Sequence, residues 1–412
     1  MGDAGASGNR RPRVAIVGAG IGGLATAAFL RAAGISAVVY EQAEKITAAG
    51  AGIVITPNAV RLIRRLGLAG PFTERAVRLE KAWEFRRWEN GEVLFVQEMG
   101  SRCARMFGEH CYVAHRGDVV KLLTDAVPDD VLRLSSRVTG IEDRGDDVAL
   151  SVERDDGGVQ TVVADAVLGA DGIHSSLREE ITAAAEPEFS GDCAFRCLLP
   201  AQAVPEFARR PVQSLWLGPG RHFVHYPVSA GALVNVVAIV PAGEWRDESW
   251  IAEGRVEDLA AAFAGWDPRV GALISAATET KRWALYHRTP LPRWTRGRLT
   301  LLGDAAHAML PYYGQGANQA IEDAAVLARC LDGVSAAEVP AALARYEEVR
   351  RPRASQVQEM SHGRRATNHL PDGEAQRDRD AAFAQQAPLE SNAWLYGYDA
   401  EAEARRALSR AS

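Results

Sequence analysis

The chain has 412 residues, 47% apolar and 24% charged, the balance of a globular protein long enough for two packed units. Its formal net charge of −6 argues against a nucleic-acid or anionic-membrane partner. Five cysteines (Cys103, Cys111, Cys193, Cys197, Cys330) make no CxxC pair and have no His at zinc-ligand spacing. Buried thiols in a reducing, cytoplasmic setting are therefore expected, and no metal.

In chain order, residues 1–10, "MGDAGASGNR", are small and polar and are expected to be disordered. The arginines before "VAIVGAGIGGLATAAFL" imitate a secretory leader. Glycines interrupt that run, however, and Arg31 closes it too early for a membrane span. A strand–turn–helix–strand unit accounts for the stretch. "RVAIVGAG" is a β-branched, buried strand, "IGGLATAAFLRAAG" a helix ending at Gly34, and "SAVVYEQ" a second strand, parallel to the first through a right-handed crossover. "TPNAVRLIRRLGLAG" then reads as one helix closed by glycine.

"WEFRRWENGEVL" reads as a hairpin carrying Arg86 and Arg87, cations that suit a carboxylate but that on a strand are more often solvated. "DVALSVERDDGGVQTVVADAVLGADG" alternates across a "DDGG" turn, and Val212–Pro241 alternates likewise, so both are antiparallel hairpins. From Val339 onward the pattern is helical, with a kink expected near Pro352. The chain is thus α/β. A dinucleotide-binding βαβ domain is drawn from 11–75, 106–185 and 290–335, a β-rich antiparallel substrate domain from 76–105 and 186–289, and a C-terminal helical region from 336–412.

Gly18, Gly20 and Gly23 spell GxGxxG between a strand and a helix. Glycine there permits the tight turn and lets the backbone approach a pyrophosphate at the helix amino terminus. Glu41 ends the second strand, where a carboxylate can accept from ribose hydroxyls. The motif does not separate NAD from FAD. Two further apolar strands end in Asp171-Gly172 and in Gly303-Asp304. Either carboxylate could simply cap the next helix. Two such ends, in a chain that already has a dinucleotide loop, suit one long cofactor.

Taken together, the glycine loop with Glu41, then "GADG", then "GDAAH…P…GQGAN…EDA" resemble the class A flavoprotein aromatic hydroxylases, the salicylate and hydroxybenzoate hydroxylase group. The resemblance covers nearly the whole chain. It implies a Rossmann-like domain with non-covalent FAD and a β-rich substrate domain. Gly18, Gly20 and Gly23 would hold the pyrophosphate, with Glu41 on the ribose, Val138 meeting adenine through its backbone, and Arg116 and Asp304 along the ribityl–pyrophosphate portion. Gly314, Gln315, Gly316, Ala317 and Asn318 would face the isoalloxazine with backbone amides. Asp171 and Gly172 would contact FAD or the nicotinamide, for which no second GxGxxG exists. The implied reaction uses NADH or NADPH and O2, passes through a flavin C4a-hydroperoxide, and hydroxylates a small phenolic or heteroaromatic ring that carries a carboxylate. The enzyme would be a monomer or homodimer.

For a base near the substrate hydroxyl, "GRHFVHYPVSAG" offers His222 and Tyr226. Four residues apart, they share one face of a strand, while His225 points opposite. The plainer reading makes His222 packed and Tyr226 core. Tyr312 and Tyr313 beside Pro311 are candidates for shaping the ring pocket. Among rivals, a disulfide reductase lacks its Cys pair and a halogenase its WxWxIP segment. An NAD dehydrogenase leaves "GDAAH…GQGAN" without a role. A nucleotide-sensing protein would not consume NAD(P)H. The nearest alternative is an FAD-dependent oxidoreductase of the same fold that epoxidises or oxidises a non-aromatic substrate.

Overall fold

The β-branched run Arg13–Val17 (β1) sits inside a six-stranded sheet, all but its first residue buried. The structure is a computed structural model and describes residues 10–47, 50–183, 186–247, 252–385 and 388–410. After helix α1 (Ile21–Ala32), strand β2 (Ser36–Tyr40) returns parallel to β1, Val17 opposite Tyr40. On the other side of β1 lies Ala166–Gly169, also parallel, with Val17 opposite Gly169. Beyond it Leu299–Leu301 is parallel again, Leu301 opposite Gly169. Three separate motifs therefore emerge side by side, because each follows the carboxyl end of a neighbouring parallel strand, the end where open α/β sheets bind ligands.

The second sheet has eight strands, in the order Glu253–Gly254, Thr280–His287, Glu188–Pro200, Leu233–Pro241, Arg221–Val228, Val212–Gly218, Lys81–Arg87, Val93–Gln97. Its pairs are antiparallel except that Val212–Gly218 and Lys81–Arg87 run parallel. Alternation sorts its residues onto two apolar layers. Leu215, Leu217, Val224, Tyr226, Val237 and Ile239 pack with Leu310 and Tyr312 on one face. Phe195, Trp216, Phe223, Val236 and Ala238 pack with Leu259 and Phe263 on the other.

Helix Val339–Asn368 spans 30 residues, about 45 Å, and touches both sheets. Tyr346 Oη donates to Leu301 O at 3.0 Å near one end, and Arg365 Nε donates to Asp192 Oδ2 at 2.6 Å near the other. The helix runs unbroken through Pro352. The stretch expected to be one helix after Thr56 is instead two, Pro57–Arg65 and Ala69–Arg75, separated at Gly67, whose φ of +78° only glycine takes readily. Ala166–Gly169 leaves the hairpins it follows and joins the parallel sheet. The disorder expected for residues 1–10 falls outside the described residues except for Arg10, whose guanidinium pairs with buried Asp165 at 2.5 Å. All five thiols are buried and unpaired.

Candidate active site

Gly18 has φ +104°, and a Cβ there would stand 2.4 Å from Ala170 O. A Cβ on Gly23 would stand 2.0 Å from Gly18 O. Glycine at these two positions is what lets the loop after β1 press against the turn after Ala166–Gly169. A Cβ on Gly20 would meet nothing within 4 Å, so that glycine borders open space. Helix α1 has no acidic residue in its first turn. Its amino-terminal amides and dipole are left for an anion. Glu41 is fixed by two amides, Ala19 N to Oε2 at 2.8 Å and Ala43 N to Oε1 at 3.0 Å, and each oxygen keeps a lone pair. Ser136 N donates to Glu41 O at 2.8 Å, which brings the edge strand Ser136–Asp143, with Val138, alongside. This cradle of glycine, carboxylate and free amides fits the adenosine diphosphate half of FAD.

At the other end, Asp304 begins the short helix Asp304–His307 after Gly303 at φ +58°. One carboxylate oxygen lies 3.9 Å from where a Cβ on Gly316 would stand. Water reaches this carboxylate, although protein atoms crowd around it. Burial pushes its pKa up, and His307, Arg116 and Arg178 oppose that rise. Arg116 is shifted down by burial and back up by Asp304. A cation and a carboxylate that act on one another at a water-accessible position suit the polar middle of a flavin cofactor.

The glycine-rich loop is held from beneath by amide side chains. Asn318 Oδ1 accepts from Thr56 N at 2.9 Å, and its Nδ2 donates to Val54 O at 2.9 Å and Gly314 O at 2.8 Å. Gln315 Nε2 donates to Thr56 Oγ1 at 3.0 Å. Both side chains are buried, so the loop can offer its surface only as backbone at Gly314, Gly316 and Ala317. The helix Gly316–Leu331 has no acidic residue in its first turn.

Sequence reasoning missed the framework around these loops. Arg178 donates to Ala305 O at 2.9 Å, Ile173 O at 2.8 Å and Gly172 O at 3.1 Å, tying the "GADG" turn to the "GDAAH" turn. Burial lowers its pKa to about 10. Asp323 accepts from Gly303 N at 2.9 Å, His307 Nε2 at 2.6 Å and Arg350 Nε at 2.8 Å. Burial alone would raise its carboxyl, but His307 and Arg350 bring it to about 2. Glu322 accepts from Arg350, Arg353 and Asn58. The "EDA" after the loop was the only local hint. Asp171 Oδ2 accepts from Ser176 N at 3.0 Å, a cap for the following turn, while Oδ1 is buried without a partner.

On the substrate sheet, His222 and Tyr226 do share a face, and His225 lies on the other, where Trp216 Nε1 donates to its Nδ1 at 3.3 Å. The two face different neighbours. His222 Nδ1 is 2.8 Å from His369 Nε2, and its ring is 5.6 Å from Tyr312. Tyr312 donates to Asp192 Oδ2 at 2.8 Å. Burial, then His369, holds the His222 pKa well below its usual value, so it is neutral at pH 7. Tyr226 lies against Gly52, whose amide donates to Asn235 Oδ1 at 2.7 Å. Burial raises the Tyr226 phenol while Arg196 draws it down. Tyr226 is thus a neutral hydroxyl, suited to orient a ring oxygen. Tyr313 is half-buried, 6.2 Å from Trp83. Arg86 and Arg87, the cations weighed from sequence, are engaged: Arg86 with Glu84, Arg87 with Glu89 and Asp372.

The model of the FAD binding domain family matches residues 11–361. A 3-amino-4-hydroxybenzoate 2-monooxygenase of Streptomyces platensis is 44% identical over 392 residues, 95% of this chain and 97% of that one. The chain belongs to the class A flavoprotein aromatic hydroxylases. Among other relatives, a 6-hydroxynicotinate 3-monooxygenase of Pseudomonas fluorescens is 40% identical, with 86% of this chain and 91% of that one covered. A solved salicylate hydroxylase substrate complex superposes with a TM-score of 0.82 at 29% identity, covering 96% of this chain and 98% of that one. This hydroxylase is an FAD-dependent monooxygenase with NAD(P)H as co-substrate. No helix among its described residues is long and apolar enough to cross a membrane.

Proposed function

We propose that this hydroxylase inserts one oxygen atom into a small carboxylated phenol or hydroxylated heteroaromatic ring, of the kind named for its relatives. Bound FAD, reduced by NAD(P)H, supplies the activated oxygen. The chain's own residues hold and screen the reactants. Gly18, Gly20, Gly23 and Glu41 take the adenosine end, with Val138 beside the adenine. Arg116 and Asp304 take the middle, Asp171 lies beside them, and the Gly314–Asn318 backbone takes the ring. Tyr226 holds the substrate hydroxyl, and His222, linked to His369, carries its proton toward the C-terminal helix. Tyr312 and Tyr313 wall the ring.

The observation that carries this reading is that one face of the substrate sheet, bearing His222 and Tyr226, packs against the same loop that follows Asp304. Five unpaired thiols fit a cytoplasmic setting. The test is a panel of 3-amino-4-hydroxybenzoate, 6-hydroxynicotinate, salicylate and 3-hydroxybenzoate, scored by stimulated NAD(P)H oxidation and by the mass of the product. At least one should gain 16 mass units or an equivalent decarboxylated product. Failure of every ring to stimulate oxidation would overturn the proposal.

A further inference from the structure

Arg364 lies on the helix Val339–Asn368, among arginines that are all engaged. Arg353 pairs with Glu322, Arg365 with Asp192 and Arg379 with Asp380. Arg364 differs. Its guanidinium carbon stands 5.6 Å from the ring centroids of Phe85, Tyr313 and Phe383. No carboxylate or carbonyl accepts from it among the described residues, and the ionisable groups that act on it are Tyr313, Tyr396 and Arg379. Arg364 is half-buried, and a guanidinium held among three rings with no anion beside it has given up part of its hydration without a charged partner in return.

A second donor nearby also lacks an acceptor. Trp83 is 5% exposed, and its Nε1 is buried with no hydrogen-bond partner. Its ring is 6.2 Å from Tyr313 and 6.1 Å from Phe85, the same two rings that flank Arg364. A half-buried cation without an anion and a buried N–H without an acceptor therefore both border Tyr313, the residue before Gly314, in the layer that also contains Tyr226. An acceptor-only, planar, singly charged group satisfies both, and a carboxylate has that chemistry, matching the guanidinium fork. We propose that Arg364, assisted by the Trp83 indole N–H, binds the carboxylate of the aromatic substrate and makes this enzyme select ring acids over the corresponding phenols.

The inference rests on the hydroxylase reading above, so its test is a binding measurement that needs no turnover. FAD-loaded enzyme is titrated with 4-hydroxybenzoate and with phenol, following the flavin absorbance, for the wild type, Arg364→Met and Arg364→Lys. Wild type should prefer the acid. Arg364→Met should weaken 4-hydroxybenzoate about 10- to 100-fold, the loss of one charge-assisted hydrogen-bond pair, while phenol binding shifts far less. Arg364→Lys should fall between, because the charge remains without the fork. Absence of a wild-type preference for the acid, or a Met variant that leaves the acid-to-phenol ratio unchanged, overturns the proposal. Where the Met variant does not retain FAD, the Lys variant decides on the same ratio. Rings that bind yet never stimulate NAD(P)H oxidation would instead refute the hydroxylation reading and leave the binding comparison intact.

Discussion

Asp323→Asn should be among the most damaging isosteric changes in the chain, although Asp323 is far too deep to touch any substrate. Its carboxylate receives three buried donors: Gly303 N, His307 Nε2 and Arg350 Nε. An amide offers one acceptor atom and one NH2. Turned one way, the NH2 faces Arg350. Turned the other, it faces Gly303 and His307, and His307 can adapt by changing tautomer, since its Nδ1 has no partner, but the Gly303 amide cannot. One buried donor is orphaned either way, at about 1–3 kcal/mol. Arg350 also loses one of its two carboxylates, and breaking a buried pair costs about 3–5 kcal/mol. Because Glu322 remains beside Arg350, about 3 kcal/mol is expected, a large share of a typical 5–15 kcal/mol stability. Urea unfolding of FAD-saturated protein, with FAD retention after gel filtration, reads both the fold and the Gly303-Asp304 turn. The exposed pair Arg329–Asp332 provides the control, and Asp332→Asn should cost less than about 1 kcal/mol. A loss below about 1 kcal/mol for Asp323→Asn would refute the buried-network argument.

Asp304→Ala should lower FAD occupancy while barely moving the urea midpoint, each lost charge-assisted bond costing about 1.5–3 kcal/mol; full FAD retention in dilute solution would leave Asp304 as a helix start only. Tyr226→Phe and His222→Ala should keep FAD and its reduction, yet yield less hydroxylated product per NAD(P)H, with the balance as hydrogen peroxide; near-normal coupling in both would return them to the packed core. Gly18→Ala should abolish FAD binding, since the methyl group meets Ala170 O at 2.4 Å on a backbone at φ +104°. Stability should also fall with acid. Burial, then nearby arginines, lowers His225 to about 3, and burial lowers His369 to about 4. The unfolded chain protonates first, near pH 6.5, so their contribution is complete above that pH and is lost as pH drops toward 4 and 3. His225→Gln, which still accepts from Trp216, should flatten that decline, and an unchanged acid limb would point elsewhere.

What could be read from the sequence was what repeats locally. β1, α1 and β2 showed themselves through β-branched runs and glycine spacing, and the period of two alone separated His222 and Tyr226 from His225. The partners of those residues were not legible. His369 lies 147 positions from His222, and Asn318 lies 262 from Thr56. No local period encodes contacts of that range. Arg350 and Arg353 stand in "RRPR", which reads as a solvated charged turn of helix, and only the buried Glu322-Asp323 pair shows why they point inward. The helix after Thr56 stops at Arg65 rather than running on to Gly70, because Gly67 takes a positive φ, and "RRLGLAG" permits a stop at either glycine.

The helix Val339–Asn368 also bears on how the molecule comes apart. One element supplies Tyr346 and Arg350 to the parallel sheet's loops and Arg365 to the antiparallel sheet, with His369 immediately after its last turn. Neither half can lose it and keep its own interior satisfied. Calorimetry should therefore record one endotherm rather than two, and a nick anywhere along this helix should release both halves together. Cutting the chain before Val339 to obtain a minimal flavin-binding fragment would strand the carboxylates of Glu322, Asp323 and Asp192 without their arginines.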